Sequence, residues 1–402
     1  GRLGRTVTLY AGFDPSAPSL HVGHLMQLCT LRRFQLAGHR PISLAGGATG
    51  MVGDPGGKSA ERQLLGPDEL AANVAGIRPQ LEHFLQFGSE AGQVGALLLD
   101  NSSWLGAEPL LDFLRDVGKH FTVNQMVAKE SVRARLERPD QGISYTEFSY
   151  MLLQAYDFLR LHADHGCDLQ IGGSDQWGNI TMGVELIHKV TGAEVYGMTT
   201  PLVLKADGTK FGKTESGTVW LDPARTSPYR FLQFFVNCED ATVGQYLRYF
   251  TYLSHADIEE LDRLTAEQPE RRAAQHALAR EVCTLVHGAD ATARAERAAA
   301  ALFTDEIAAL EESTLLEVVD GAPAATLPRG RLGSSTVLDA IVEGGLVASR
   351  GAGRRAAAQG GIYVNNRREE DAERPLSEAD LLHGRYVLIR RGRRDQLLLT
   401  FE

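Results

Sequence analysis

Lysine is scarce in this chain: of 41 basic residues among 402 only seven are lysine, and acidic residues prevail to give a net charge of −10. That balance excludes nonspecific polyanion binding over the whole surface, so any nucleic-acid contact has to be local. Cysteine is scarce too. Cys29, Cys167, Cys238 and Cys283 stand too far apart for any C-x-x-C pair, which excludes a zinc ribbon and a disulfide framework and fits a reducing compartment. No apolar run approaches the roughly 20 residues a membrane span needs and no signal-peptide pattern is read, so a cytoplasmic location without membrane contact is expected. The chain opens Gly1-Arg2 rather than with Met, and the P-loop spacing G-x-x-x-x-G-K-[ST] is missing. What remains is an ordinary globular composition, 43% hydrophobic and 23% charged, sufficient for two or three domains.

Up to about residue 200, strand-like runs alternate with helical periods. Strands are expected over Val7 to Phe13, Pro41 to Ala45, Ala96 to Asp100, Asp168 to Gly172 and Glu194 to Thr200. Helices are expected over Val22 to Ala37, Pro67 to Gln86, Glu108 to Val117, Tyr145 to Leu161 and Asp175 to Val190. The alternation predicts an α/β fold, a doubly wound parallel, Rossmann-like sheet that binds ligands at the carboxyl ends of its strands. Residues 1–217 would form this catalytic domain, closed by a mobile, glycine-rich basic loop at 205–217. Residues 218–320 read as an all-helical domain with one long run from Glu267 to Ala301. Gly321-Ala322-Pro323-Ala324 reads as a linker, and 321–402 as that linker plus a small α+β domain, with helices near Thr336 to Glu343 and Gly351 to Gln359. From residue 331 onward 12 Arg face 10 acidic residues, a balance of +2 that leaves −12 on the rest, so a polyanion is least repelled there.

ATP has to be gripped by its phosphates while ribose and base approach the backbone, and a strand, a glycine-bearing turn and a helix N-terminus form the natural cradle. Gly12-Phe13-Asp14-Pro15 followed by His21-Val22-Gly23-His24 has that form. His21 and His24 share one helix face, where ring N–H groups reach phosphate oxygens, and Gly23 between them leaves room for an adenine. The same residues also fit helix capping and packing alone. Lys210-Phe211-Gly212-Lys213-Thr214 by itself fits solvated surface, yet two of the seven lysines bracket it. A compact charge on a flexible stem suits a phosphate whose charge develops during reaction.

In Gly46 to Lys58 the glycines admit close backbone approach, and Asp54 offers a carboxylate to an ammonium group. Lys58 and Arg62, four apart, form either a phosphate clamp or an exposed basic face. Tyr150, Gln154 and Asp157 converge on one face of an apolar helix, as a ligand site or as a satisfied buried network. In Leu169 to Ile180, Asp175 follows the pair Gly172-Gly173, positioned to hold a ribose hydroxyl. Arg354-Arg355, Arg367-Arg368 and the cluster Arg390, Arg391, Arg393 and Arg394 bind phosphates or are merely solvated.

Taken in this order over essentially the whole chain from Thr8, these segments resemble the bacterial tyrosyl-tRNA synthetase family of class I aminoacyl-tRNA synthetases. The resemblance implies that Tyr10 and Asp157 hold the substrate phenol. Tyr150, Gln154 and Asp54 would hold its ammonium, with Gln176 near its carboxylate. Gly12, Asp14, Gly23, Gly173 and Asp175 would surround the adenylate, and His21, His24, Lys210, Lys213 and Thr214 would meet the phosphates. It also implies L-tyrosine, ATP with Mg as substrate, and tRNA(Tyr) as partners, no tightly bound metal or organic cofactor, a homodimer, a helical anticodon-region domain and a C-terminal RNA-binding fold. Two departures stand out: Ala11 has no side-chain donor near the ribose, and the basic loop reads Lys-Phe-Gly-Lys-Thr, which leaves Gly212 without an assigned role.

Three rivals share some of the pattern. A tryptophanyl enzyme has both ATP signatures but no use for the Tyr10 and Asp157 pair. An H-x-G-H nucleotidyltransferase explains the first motif only. A noncatalytic RNA-binding protein on a synthetase scaffold is disfavoured by intact His21, Lys210 and Lys213.

Overall fold

The structure, a computed structural model, describes residues 4, 6–54, 64–88, 94–137, 142–209, 211–214, 217–302, 304–320, 322–392 and 395–402. Lys58, Arg62, Lys210, Gly321, Arg393 and Arg394 lie outside the described residues. The chain divides into two compact units, Gly1–Thr226 with Phe235–Val286, and Ser227–Phe234 with His287–Glu402.

The first unit is built on a five-stranded parallel sheet of order β3-β2-β1-β4-β5. Its strands are β1 (Thr8–Phe13), β2 (Arg40–Ala45), β3 (Leu97–Asp100), β4 (Cys167–Gly173) and β5 (Tyr196–Thr200). Helices α1 (Leu25–Leu36), α2 (Pro67–Phe84), α3 (Leu110–Asp116), α4 (Tyr145–His165) and α5 (Trp177–Thr191) accompany the strands. The strand order reverses between β1 and β4, which opens a crevice at their carboxyl ends. Each element ends where local chemistry dictates. Helix α4 starts at Ser144, whose hydroxyl accepts from the Glu147 N–H, and stops at Gly166, left-handed at φ 62°. It outruns its expected end at Leu161, because the apolar period fades before the stop signal arrives. Helix α1 is preceded by a 3₁₀ turn, Val22–His24, rather than starting at Val22.

The helical region does not form one body. Helices α6 (Pro228–Val236), α7 (Asp240–Phe250), α8 (His255–Glu267), α9 (Ala273–His287) and α10 (Ala289–Ala301) appear in order, but the expected run from Glu267 to Ala301 breaks at Arg272 (φ 48°) and Gly288 (φ 83°). Residues Phe235–Val286 belong to the first unit. There the Arg33 guanidinium on α1 donates to the carbonyls of Arg248, Tyr249 and Thr251 at 2.9 Å each, satisfying orphan acceptors at the end of α7.

The second unit carries its own five-stranded sheet, β10-β9-β11-β12-β8. Its strands are β8 (Ala324–Leu327), β9 (Ile362–Val364), β10 (Arg367–Arg368), β11 (Tyr386–Arg391) and β12 (Asp395–Phe401). Ala324 therefore opens a strand, not the end of a linker: β8 pairs in parallel with β12, Ala324 to Leu398 and Leu327 to Phe401. Small residues hide this from local reading, since the pairing partner lies about 70 residues away. Helix α11 (Glu312–Val318) sets Leu315 into one apolar cluster with Ile307, Val319, Leu382, Tyr386, Leu388 and Leu398. The small α+β fold thus shares its core with residues that precede it. Leu315→Ala is expected to cost about 2–5 kcal/mol, seen as a lowered urea midpoint of the full-length protein; an unchanged midpoint would show that this cluster contributes nothing to stability.

Candidate active site

A cavity of about 320 Å³ lies at the carboxyl ends of β1 and β4. Tyr10, Gly12, Asp14, His21, His24, Asp54, Tyr150, Gln154, Asp157, Gly173, Asp175 and Gln176 all line it. Residues separated by more than 160 positions meet there because parallel strands deliver their carboxyl ends to one edge.

At its closed end stands Asp157, on α4 and 3% exposed. Asn101 Nδ2 donates to its Oδ2 at 2.9 Å and Trp104 Nε1 to its Oδ1 at 2.7 Å. Burial pushes this carboxyl up to about 7, against the two donors, which hold it down. Opposite, the Tyr10 hydroxyl is buried and makes no hydrogen bond among the described residues. Burial and the Asp157 charge raise its phenol well above the usual range.

Nearer the mouth, Asp14 accepts from the Tyr150 hydroxyl at 2.7 Å and from the Thr49 hydroxyl at 2.8 Å. A Cβ on Gly46 would fall 2.1 Å from Asp14 Oδ1, so glycine is required there. Because Tyr150 gives its hydrogen to Asp14, its oxygen faces any ligand as an acceptor, the polarity an ammonium group needs. Burial first, then Asp14 and Asp54, hold the Tyr150 phenol protonated. Gln176 Nε2 donates to Asp54 Oδ2 at 2.5 Å, and Asn179 Nδ2 donates to Gln154 Oε1 at 3.0 Å and to Gln176 Oε1 at 3.3 Å. Asp54, Gln176, Asn179 and Gln154 thereby form one hydrogen-bonded chain. Gly173 leaves space for the Asp175 carboxylate, which an added Cβ would meet at 2.5 Å, whereas a Cβ at Gly12 would face open space.

His21 and His24 stack with centroids 4.0 Å apart. The His21 Nδ1 accepts from the Gly23 N–H, and the His24 Nδ1 accepts from the His21 N–H, each at 3.1 Å. Capping and a ligand role are therefore compatible: Nδ1 closes the turn, and the neutral ring carries its hydrogen on Nε2. Burial, then His21, lower His24 well below the usual imidazole range, so it stays neutral. Gly23 has a further, local reason to be glycine. A Cβ there would sit 2.8 Å from the His21 ring, so the glycine first of all makes room for the cap.

Lys213 and Thr214 form the short strand β6 (Lys213–Thr214), which pairs antiparallel with β7 (Gly217–Thr218). Gly212 now has a physical reason: φ is 87°, and a Cβ would lie 2.5 Å from Val22 Cγ2. Its carbonyl accepts from the Val219 N–H at 3.1 Å, and the Val219 carbonyl accepts from the Val22 N–H at 3.0 Å. Phe211 packs against Tyr246, Phe250 and Phe235 with centroids 4.7, 5.5 and 5.9 Å away. The loop expected to be mobile is thus anchored at Phe211 and Gly212.

In the second unit Arg354 and Arg355 lie on a helix, Arg350–Ala358, and Arg367 and Arg368 form β10. Arg354 pairs with Glu373 at 2.6 Å and Arg368 with Glu370 at 3.5 Å, exposed contacts that a phosphate can displace. Arg390 does not belong to an exposed cluster. It is 5% exposed, lies 4.9 Å over the Tyr363 ring, and donates to Asn366 Oδ1 at 2.6 Å and to the Gly392 carbonyl at 2.7 Å.

Sequence reasoning missed Thr49, Asn101, Trp104 and Asn179, and also Gln27, whose Nε2 donates to Thr200 Oγ1 at 2.8 Å. Asn101 and Trp104 follow the carboxyl end of β3, the one positional signal available for them. Replacing Trp104 by Phe removes a donor to the ionised carboxyl and is expected to move the Asp157 titration upward from about 7. Carbon-13 NMR of labelled aspartate checks this; an unmoved or lowered midpoint would remove Trp104 from that role.

A model for class I tRNA synthetases (W and Y) matches residues 2–304, and one for the tyrosine–tRNA ligase C-terminal domain matches residues 315–399. The tyrosine–tRNA ligase of Roseiflexus castenholzii is 56% identical over 395 residues, 98% of this chain and 92% of that one. That of Opitutus terrae is 53% identical over 98% of this chain and 92% of its own. A C-terminally truncated mitochondrial tyrosyl-tRNA synthetase of Aspergillus nidulans superposes with a TM-score of 0.64 at 35% identity, covering 73% of this chain and 85% of that one. With these matches the chain belongs to the tyrosine–tRNA ligase family, within the class I tRNA synthetases of the tryptophan and tyrosine type.

Proposed function

We propose that this protein activates L-tyrosine with ATP to tyrosyl-adenylate and pyrophosphate, then transfers the tyrosyl group to the 3′-terminal adenosine of tRNA(Tyr). The observation that carries the reading is the closed end of the cavity, where a buried carboxyl and an unpartnered hydroxyl face an otherwise apolar wall. Asp157 and Tyr10 receive the phenol. Tyr150, Gln154 and Asp54 receive the ammonium, with Gln176 beside the carboxylate. That carboxylate attacks the α-phosphorus in line, and pyrophosphate leaves with the Mg that accompanied ATP as substrate. His21 and His24 donate to phosphate oxygens, and Gly12, Asp14, Gly23, Gly173 and Asp175 line the nucleoside. Lys210, Lys213 and Thr214, with Lys58 and Arg62, carry the charge that develops on the leaving group. Neither step requires a covalent enzyme intermediate; positioning and charge stabilisation supply the acceleration.

Catalysis is attributed to residues 1–217, anticodon-side contacts to 218–320, and further RNA binding to 321–402 through Arg354, Arg355, Arg367 and Arg368. A homodimer is supported by α3, which exposes Leu110 and Leu111 by 70% and 77%, an apolar face a second copy would cover. A cytoplasmic location fits the substrates. No helix among the described residues is long and apolar enough to cross a membrane.

Pyrophosphate exchange is expected with tyrosine and not with tryptophan or phenylalanine; exchange led by tryptophan would overturn the reading. Lys213→Ala should slow adenylate formation by ~10² or more while ATP affinity changes less, the mark of a contact made mainly in the transition state. Stopped-flow data showing only a weaker ATP Kd would contradict it. For tRNA, the double replacement Arg367→Ala and Arg368→Ala should lower the slope of log K against log salt by about one per lost phosphate contact, and an unchanged slope would free these residues from RNA binding.

A further inference from the structure

One turn of the second unit reaches beyond the sheet that it closes. Arg367 pairs with Val364 and Arg368 with Tyr363, so Asn365 and Asn366 form a two-residue loop between β9 and β10, both left-handed at φ 48° and 65°. Such a turn accepts glycine or asparagine. What asparagine adds is an amide, and the two amides go to different places. Asn365 stays within the C-terminal fold: its Nδ2 donates to the Asp380 carbonyl at 2.6 Å and its Oδ1 accepts from the Leu388 N–H at 2.9 Å. Asn366, 7% exposed, reaches the end of α10. Its Nδ2 donates to the Ala301 carbonyl at 3.0 Å and to the Thr304 carbonyl at 2.8 Å, while its Oδ1 accepts from Arg390 Nε at 2.6 Å. The buried Arg390 cation is thereby tied through one amide to a helix carboxyl end, where partial negative charge collects.

This anchorage sits directly beside two exposed arginines. Strand β10 is two residues long and lies at the edge of its sheet, so the ladder alone fixes it weakly. It begins at the residue after Asn366, and its two residues are Arg367 and Arg368, both exposed. The Arg368 guanidinium lies against Gly360, in space that a Cβ there would take, and Gly360 follows the helix Arg350–Ala358 that carries Arg354 and Arg355. The end of α10 and the whole sheet belong to one compact unit, so a bond from the turn to α10 sets the position of β10 against a helix as well as against a strand. We propose that Asn366 is a positioning residue for RNA binding: by docking the turn on the end of α10, it holds Arg367 and Arg368 where one phosphate backbone meets both.

The proposal rests on the reading of Arg367 and Arg368 as RNA contacts, and the test separates the two. Binding of tRNA(Tyr) to the full chain is measured over a salt series for four variants, with melting temperature as the control for folding. They are Asn366→Gly, Asn365→Gly, the double variant Arg367→Ala with Arg368→Ala, and the triple variant that adds Asn366→Gly to it. Asn366→Gly keeps the turn and the net charge and removes only the amide. It should nevertheless flatten the slope of log K against log salt by about one, the mark of a lost phosphate contact, which a merely weaker fold leaves unmoved. Asn365→Gly, the same change one residue earlier, should keep the wild-type slope. The triple variant should match the double one, since Asn366 acts through the two arginines. A wild-type slope in Asn366→Gly overturns the proposal. So does an equal flattening in Asn365→Gly, which reports turn shape, or a triple variant flatter than the double one. Should Asn366→Gly fail to fold, Asn366→Ser, also neutral and with one hydrogen for two carbonyls, is read by the same criteria. A wild-type slope in the double variant overturns the RNA reading of β10 and the proposal with it, a result distinct from an unmoved Asn366→Gly slope alone.

Discussion

The Asn101 amide holds the polar interior of the first unit together. Its Nδ2 donates to Asp157 at 2.9 Å and to the Thr49 hydroxyl at 3.0 Å, while Oδ1 accepts from the Ala48 N–H at 2.8 Å. Thr49 in turn donates to Asp14. A planar group with two hydrogens and one oxygen thereby fixes two carboxylates that line the cavity, Asp157 directly and Asp14 through Thr49, relative to the loop after β2. No apolar residue of the same volume could do this, because three buried polar groups would lose their partner together.

Charge in the cavity follows from that frame. Asp14, Asp54, Asp157 and Asp175 line a space that contains no arginine or lysine among its described lining residues, which suits a cationic amine and repels a second carboxylate. The two imidazoles accept at Nδ1 and so offer N–H at Nε2 without adding positive charge.

Much of this was legible in order along the chain. All five strands of the first sheet lie within two residues of where alternation places them, because central parallel strands are buried on both faces and read as apolar runs between turn signals. The residues that line the cavity were legible where a motif concentrates them, as in His21 to His24 and Tyr150 to Asp157. Asn101 and Trp104 were not. They stand in Asp100-Asn101-Ser102-Ser103-Trp104, a polar stretch whose meaning comes only from the α4 carboxylate it meets 53 to 56 residues later. Arg390 shows the converse: neighbouring arginines suggested a solvated patch, but strand alternation turns one of them inward onto Tyr363. Strand β8 was hidden for a third reason, since its four residues, Ala-Ala-Thr-Leu, gain their identity from a pairing that no local window contains.

The carbonyl of Gly212, the peptide of Val219 and the N–H of Val22 are joined in sequence by two backbone hydrogen bonds. Val22 is the first residue of the turn that holds both imidazoles, and it is wholly buried. The two segments proposed to grip the nucleotide, about 190 residues apart in the chain, are therefore connected mechanically in series. Any pull on the basic segment that moves Gly212 must either break a bond in this series or rotate the turn beneath the histidines. A displacement of one segment is thus transmitted to the other through main chain alone, independent of which side chains the two segments carry.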